Sequence, residues 1–262
     1  MSPFYARTIE RATDELQLLE ATRTNRQKRA AQGRFVVEGV RNIDAALANE
    51  WPVHTVLSPL GARLSSWAAG VVERAGVEHV GLAPELLERL TDRDERPELL
   101  LVAGIPERQI PERDDLVLVV LDRIQSPGNL GTIIRTSDAL GVHAVATVGH
   151  AASAYDPQCV RASTGSLFAL PVVAVDALAE LESVVASTTI VATDESGDTD
   201  LASTDLHAPC TILLGNETTG LSRALRERAD VTVRIPMRGT ASSLNVAAAH
   251  AIVVHELARQ RR

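Results

Sequence analysis

Three short stretches set amide, carboxylate, hydroxyl and guanidinium groups beside glycines, each directly after an apolar run. The first, Leu121-Asp-Arg-Ile-Gln-Ser-Pro-Gly-Asn-Leu-Gly131, leads into a helix that carries Arg135. Pro127, Gly128 and Gly131 permit a tight turn whose backbone amides point out at a helix N-terminus, a place that stabilises anions. Asn129 and Arg135 are six residues apart, so Asn129 is expected in the loop and Arg135 about a turn and a half into the helix, both within reach of one cleft. The second stretch, Gly215-Asn-Glu-Thr-Thr-Gly-Leu-Ser222, places Glu217 between two glycines with no basic neighbour in sequence to pair it. The third, Ile235-Pro-Met-Arg-Gly-Thr-Ala-Ser-Ser-Leu-Asn-Val246, brings Ser242, Ser243 and Asn245 ahead of a small-residue helix predicted over Ala247 to Ala258. Each stretch alone also reads as ordinary structure: a strand-to-helix turn, a capping turn, a set of N-cap residues. As chemistry, such polar groups between apolar strand and apolar helix are what a ligand site uses for orientation.

Other chemistries lack their residues. There is no G-x-G-x-x-G, no phosphate loop with its lysine and no G-x-S-x-G elbow. His250 and His255 are spaced i, i+5, which does not put two metal ligands on one helical face. Cys159 and Cys210 belong to no CxxC pair and are expected to be small buried apolar residues, so neither a disulfide framework nor a metal site is expected. A hydrophobic share of 45% with 23% charged residues is globular composition. No apolar run approaches a membrane span, and the first residues lack the apolar core of a signal peptide, so a soluble, cytoplasmic protein is expected.

The net charge of −8 argues against coating nucleic acid through bulk positive charge. Locally the sign reverses: between Thr22 and Arg41, the bases Arg23, Arg26, Lys28, Arg29, Arg34 and Arg41 face only Glu38. A solvated helix face and a phosphate-binding patch both account for such a run.

The elements that must position these residues alternate along the chain. A long polar helix near Tyr5 to Ala31 is followed by strand Phe35–Val37, helix Val40–Ala48, strand Val53–Leu57, helix Arg63–Arg74, strand Val77–Val80, helix Pro84–Leu90 and strand Leu99–Ala103. Ile105 to Asp115, with two prolines and six charges, reads as a linker. The predicted partition is therefore a domain over 1–105, a linker over 106–115 and a domain over 116–262. The second domain opens on six apolar residues, Leu116–Leu121, as expected of a central parallel strand covered on both faces. Further strands are predicted at Ala144–Val148, Pro171–Val175, Thr189–Ala192, Thr211–Leu214 and Val231–Ile235, with helices between most of them. This is a doubly wound α/β sheet, which binds ligands beyond the carboxyl ends of its strands.

In this order, SPGNLGTIIRTSDALG (126–141), LLGNETTGLS (213–222) and VRIPMRGTASSLNVAAA (233–249) resemble the three signature motifs of the SpoU (TrmH-like) branch of the SPOUT RNA methyltransferases, and VRASTGSLFALPV (160–172) fits between them. RFVVEGVRNIDAAL (34–47) and LTDRDERPELLLVAGIP (90–106) resemble the L30e-like substrate-recognition domain that precedes the catalytic domain in many members acting on ribosomal RNA. The resemblance implies an N-terminal L30e-like α/β domain and a C-terminal SPOUT domain, a Rossmann-like parallel sheet with a C-terminal trefoil knot. It implies methyl transfer from S-adenosyl-L-methionine to a ribose 2′-hydroxyl of RNA, ribosomal RNA ahead of transfer RNA, by a homodimer with its active sites at the subunit interface. The catalytic positions fall on Asn129, Arg135, Glu217, Ser243 and Asn245, and the cofactor contacts on Thr193, Gly215, Ile235 and Leu244. RNA contacts are expected from Arg26, Lys28, Arg34 and Arg161. Thr218 stands where the family usually has glycine. A transfer RNA enzyme and a catalytically silent RNA-binding protein are the alternatives.

Overall fold

In the computed structural model, which describes residues 5–92, 95–207 and 209–261, side-chain caps divide the polar N-terminal stretch. β1 (Arg7–Ile9) comes first, then α1 (Asp14–Thr24), capped by the Thr13 hydroxyl, then α2 (Arg26–Gln32). Asn25 separates the helices: its backbone is extended and its side chain accepts from the Lys28 amide. Helical periodicity predicts one helix from Tyr5 to Ala31. The cap residues overrule it by giving backbone amides partners outside the helical ladder.

There follow β2 (Arg34–Glu38), α3 (Val40–Ala48), β3 (Val53–Pro59), α4 (Ser66–Ala75), β4 (Glu78–Leu82), α5 (Pro84–Glu88) and β5 (Leu100–Gly104). The strands form one sheet in the order β1-β4-β3-β5-β2. β4 is parallel to both β1 and β3, while β5 runs antiparallel to both β3 and β2. One face packs Leu57, Val80, Leu82 and Val102 against Leu16, Leu86 and Leu87.

Contacts divide the chain into two compact units, Met1–Glu107 with Tyr155–Ala169, and Arg108–Ala154 with Leu170–Arg262. The excursion 155–169, which the linker position assigns to the second domain, thus packs with the first unit. It contains α7 (Pro157–Ser163) and α8 (Ser166–Ala169). Aromatic packing holds it: the rings of Phe35 and Tyr155 are 5.1 Å apart and those of Trp51 and Phe168 4.9 Å, and the Trp51 indole donates to the Phe168 carbonyl at 2.8 Å.

The second unit is built on β6 (Val117–Asp122), α6 (Pro127–Ala139), β7 (Ala144–Val148), β8 (Val172–Val175), α9 (Glu182–Val185), β9 (Thr189–Thr193), β10 (Thr199–Asp200), β11 (Cys210–Leu214), α10 (Arg223–Glu227), β12 (Val231–Arg234) and α11 (Val246–Gln260). All seven strands are parallel, in the order β10-β12-β9-β11-β6-β7-β8. Every residue of β6 is buried, as its unbroken apolar run predicts.

α6 and α11 pack on each other, and between them the fully buried His250 meets the Ser137 hydroxyl at 3.0 Å. Burial depresses its pKa to about 4. An unfolded histidine titrates near 6.5, so between these values the unfolded chain binds the extra proton and stability falls as pH falls. Denaturant unfolding should show a loss on the order of 2–3 kcal/mol between about pH 6.5 and 4. His250→Leu should flatten that window; an unchanged slope would exclude His250 as its source.

Candidate active site

Strand register brings four loops to one edge of the second sheet. Leu214 at the end of β11 lies level with Leu121 of β6 and Thr193 of β9, and Thr193 in turn with Val233 of β12. The chain therefore leaves β6, β9, β11 and β12 at the same side, where open parallel sheets bind ligands.

Three of these loops meet in one hydrogen-bonded chain. Glu217 accepts from the Asn129 side-chain amide at 3.1 Å and, at 3.4 Å each, from the backbone amides of Gln125 and Ser126. The Asn129 oxygen accepts from the Asn245 amide at 3.2 Å, while the Asn245 oxygen caps α11 through the amides of Ala247 and Ala248. Burial pushes the Glu217 carboxyl upward, but its own backbone amide, followed by the Asn129, Gln125 and Ser126 hydrogen bonds, outweighs this and leaves the group below its usual range. Glu217 is an anion seated at the N-terminus of α6, where backbone amides and the helix dipole favour it.

A second set of contacts fixes the Glu217 loop, and spacing alone does not reveal it. Buried Asp122 takes a two-pronged ion pair from Arg123, at 2.9 and 3.1 Å, and accepts from the Ser222 amide. Burial opposes its charge, and the Arg123 and Ser222 hydrogen bonds overcome this, holding its carboxyl below the usual value. Arg123, in the left-handed region at φ 51°, also donates to the Gly220 carbonyl at 3.2 Å. Asn216 donates to the Arg123 carbonyl at 2.8 Å and accepts from the amides of Thr218 and Thr219. Thr218 fits without positive φ; the left-handed position of this turn falls on Gly220 at φ 63°.

Beside this turn opens a cleft of about 500 Å³, whose lining includes Thr193, Gly215, Ile235, Ser243 and Leu244. All four predicted cofactor positions thus line one cavity. The Thr193 hydroxyl is buried without a hydrogen-bond partner among the described residues. Asp194 and Arg226, unremarkable in the sequence, add an ion pair at 3.2 Å to the wall.

Arg135 is not in that wall. It stands exposed, about 9 Å along α6 from Asn129, and makes no side-chain hydrogen bond or ion pair among the described residues. Within one chain the structure therefore joins Asn129, Glu217 and Asn245, places Ser243 on the cleft and leaves Arg135 apart.

The basic run is only partly a surface patch. Arg29 is 3% exposed, donates to the carbonyls of Thr22 and Arg23 and pairs with Asp156 at 3.6 Å. Arg23 pairs with Asp92 at 2.7 Å. Arg26 and Lys28 are exposed; Arg34 and Arg161 are half-buried.

Residues 116–255 match the SpoU rRNA Methylase family, and residues 13–101 the SpoU L30e-like domain. The chain is 44% identical to a 23S rRNA (uridine(2479)-2'-O)-methyltransferase of Streptomyces viridochromogenes, over 98% of this chain and 93% of that one. It is 28% identical to the 23S rRNA (guanosine(2553)-2'-O)-methyltransferase RlmP of Bacillus subtilis, over 88% and 91%. The crystal structure of the SpoU methyltransferase AviRb from Streptomyces viridochromogenes in complex with AdoMet superposes with a TM-score of 0.92 at 43% identity, covering 95% of this chain and 98% of that one.

Proposed function

Because the chain belongs to the SpoU rRNA Methylase family, we propose that it transfers the methyl group of S-adenosyl-L-methionine to a ribose 2′-hydroxyl of ribosomal RNA. The observation that carries this reading is the contact of Glu217 with Asn129 and of Asn129 with Asn245, across 88 and 116 residues, beside the cleft. The names of the relatives favour ribosomal over transfer RNA, and the bound AdoMet of the Streptomyces structure favours the cofactor.

The residues present fit that cofactor. The unpartnered Thr193 hydroxyl and the backbone at Gly215, Ile235 and Leu244 would hold it. When bound, it supplies an electrophilic methyl on a sulfonium. A ribose hydroxyl is a poor nucleophile, so the chain must align it and assist loss of its proton. A guanidinium, with a pKa above about 12, is a reluctant base. Arg135 therefore holds the target phosphate and stabilises the developing alkoxide. Asn129, Glu217, Ser243 and Asn245 orient substrate and loops. No metal takes part.

Exposed Arg135, away from its own cleft, favours a homodimer in which the arginine of one protomer completes the site of the other. The C-terminal knot belongs to the same reading, as does action on ribosomal RNA in the cytoplasm. Arg26, Lys28, Arg34 and Arg161 are the phosphate contacts, so RNA affinity should fall steeply with salt.

The test is to incubate the protein with labelled S-adenosyl-L-methionine and separated ribosomal and transfer RNA, then map the modified position. Label is expected in 23S RNA as a 2′-O-methyl at one ribose. Label in transfer RNA alone would replace the substrate; no calorimetric cofactor binding would revive the silent RNA-binding protein.

A further inference from the structure

The first unit holds a cavity of its own, about 330 Å³, between α1 and the face of the sheet that carries Leu57, Leu82 and Val102. Its rim follows from strand direction. β1 and β3 are both parallel to β4, and β2 and β3 both oppose β5, so β1, β3 and β2 all start at the same edge. That edge carries Arg7, Thr55 and Arg34, joined by Gln32 from the last turn of α2.

The polar groups divide into two kinds. Arg7 is committed: Glu15 binds it at 2.9 and 3.1 Å and Glu78 at 2.9 Å. Gln32, Arg34 and Thr55 have no side-chain hydrogen bond or ion pair among the described residues; the Glu15 carboxylate on the cavity wall, already bound to Arg7, acts on Arg34 only through space, and the Arg34 Nε is buried without an acceptor. A buried guanidinium N–H left unpaired is costly, which marks the position as one an anionic acceptor fills. Lys28, exposed and four residues before Gln32, shares its face of α2 and extends the positive charge outward from the rim.

We propose that this cavity takes one unstacked nucleotide of single-stranded RNA. The base lies on the apolar floor, its edge meets the Gln32 amide and the Thr55 hydroxyl, and a neighbouring phosphate binds Arg34. A flat apolar body, a hydrogen-bonding edge and an anion are what the cavity asks for together, and unstacked nucleotides in loops are how proteins read RNA sequence. A fatty carboxylate would use the floor and the cation but leave the amide and hydroxyl unanswered. RNA as the source of the nucleotide rests on the proposed function; the cavity and its unpaired groups do not.

The full chain is titrated into a short single-stranded RNA containing 2-aminopurine, with adenosine monophosphate as competitor. A saturable fluorescence change that adenosine monophosphate reverses is expected. Arg34→Ala, and Thr55→Phe, which fills the mouth, should each weaken binding about tenfold or more, whereas Thr55→Ser should bind like the wild type. Thr55→Phe binding as tightly as the wild type, or decanoate displacing the probe better than adenosine monophosphate, would overturn the proposal. Circular dichroism confirms that each variant is folded. Calorimetry with S-adenosyl-L-methionine and methylation of ribosomal RNA are read separately, so a failed pocket with intact methylation is distinct from a failed methyltransferase.

Discussion

Arg135→Ala should lower single-turnover methyl transfer by about 10²–10³-fold, the usual loss when one preorganised donor to a developing oxyanion is removed. Calorimetric binding of S-adenosyl-L-methionine should stay at the wild-type level, because Arg135 does not line the cleft. Arg135→Lys keeps the charge but not the planar fork and should recover only part of the rate; a near-normal rate would remove the bidentate role. The location of the residue makes a sharper test possible. If the proposed homodimer forms, an arginine acting across its interface leaves each mixed pair of Arg135→Ala with Gly215→Ala one site with an intact cleft and an intact arginine. Random mixing should then restore about a quarter of wild-type activity, since half the dimers carry one working site. An arginine acting within its own chain would leave every site of that mixture defective, and no recovery would follow.

The parts of this site that are legible in the sequence are those whose signals are local. Six apolar residues ending at Leu121 mark the central strand, Gly220 marks the turn after Glu217, and Asn245 announces the cap it makes on α11. Pro127, Gly128, Asn129 and Gly131, by contrast, read as a loop but lie in the first turns of α6, because the Ser126 cap starts the helix ahead of them. What joins the loops is not local. Asp122 reads as the end of a strand, and only the fold brings it to the Ser222 amide, 100 residues away. Arg29 reads as one more cation in a basic run until burial assigns it to two carbonyls and Asp156. Tyr155 and Phe168 follow a strand of the second unit, yet the rings they pack on, Phe35 and Trp51, lie more than a hundred residues earlier. In the N-terminal stretch local signals conflict: the polar run reads as one helix, while the caps at Thr13 and Asn25 that divide it are each a single residue and Arg7–Ile9 leaves it to pair with β4.

The two glycines that bracket Glu217 look interchangeable in the sequence and should behave very differently. A methyl group on Gly215 would lie 2.3 Å from the Gly220 carbonyl carbon and the Leu221 nitrogen, closer than any nonbonded contact permits, and both atoms are backbone. The turn cannot easily give way. Asn216 and Gly220 exchange hydrogen bonds at 3.1 and 3.0 Å, Asn216 holds the Arg123 carbonyl, and Asp122 holds Ser222. Gly215→Ala must therefore break that set or displace the cleft wall, at a cost of about 1–3 kcal/mol in stability. Calorimetry should detect no S-adenosyl-L-methionine binding, and thermal unfolding should move down. Gly220 has φ 63°, and a methyl group there would meet nothing within 4 Å, so Gly220→Ala incurs left-handed strain of about 1 kcal/mol but no collision. It should unfold somewhat earlier and still bind the cofactor. If Gly215→Ala binds as tightly as the wild type, backbone contact at this crossing does not shape the cleft, and the cofactor must be held elsewhere.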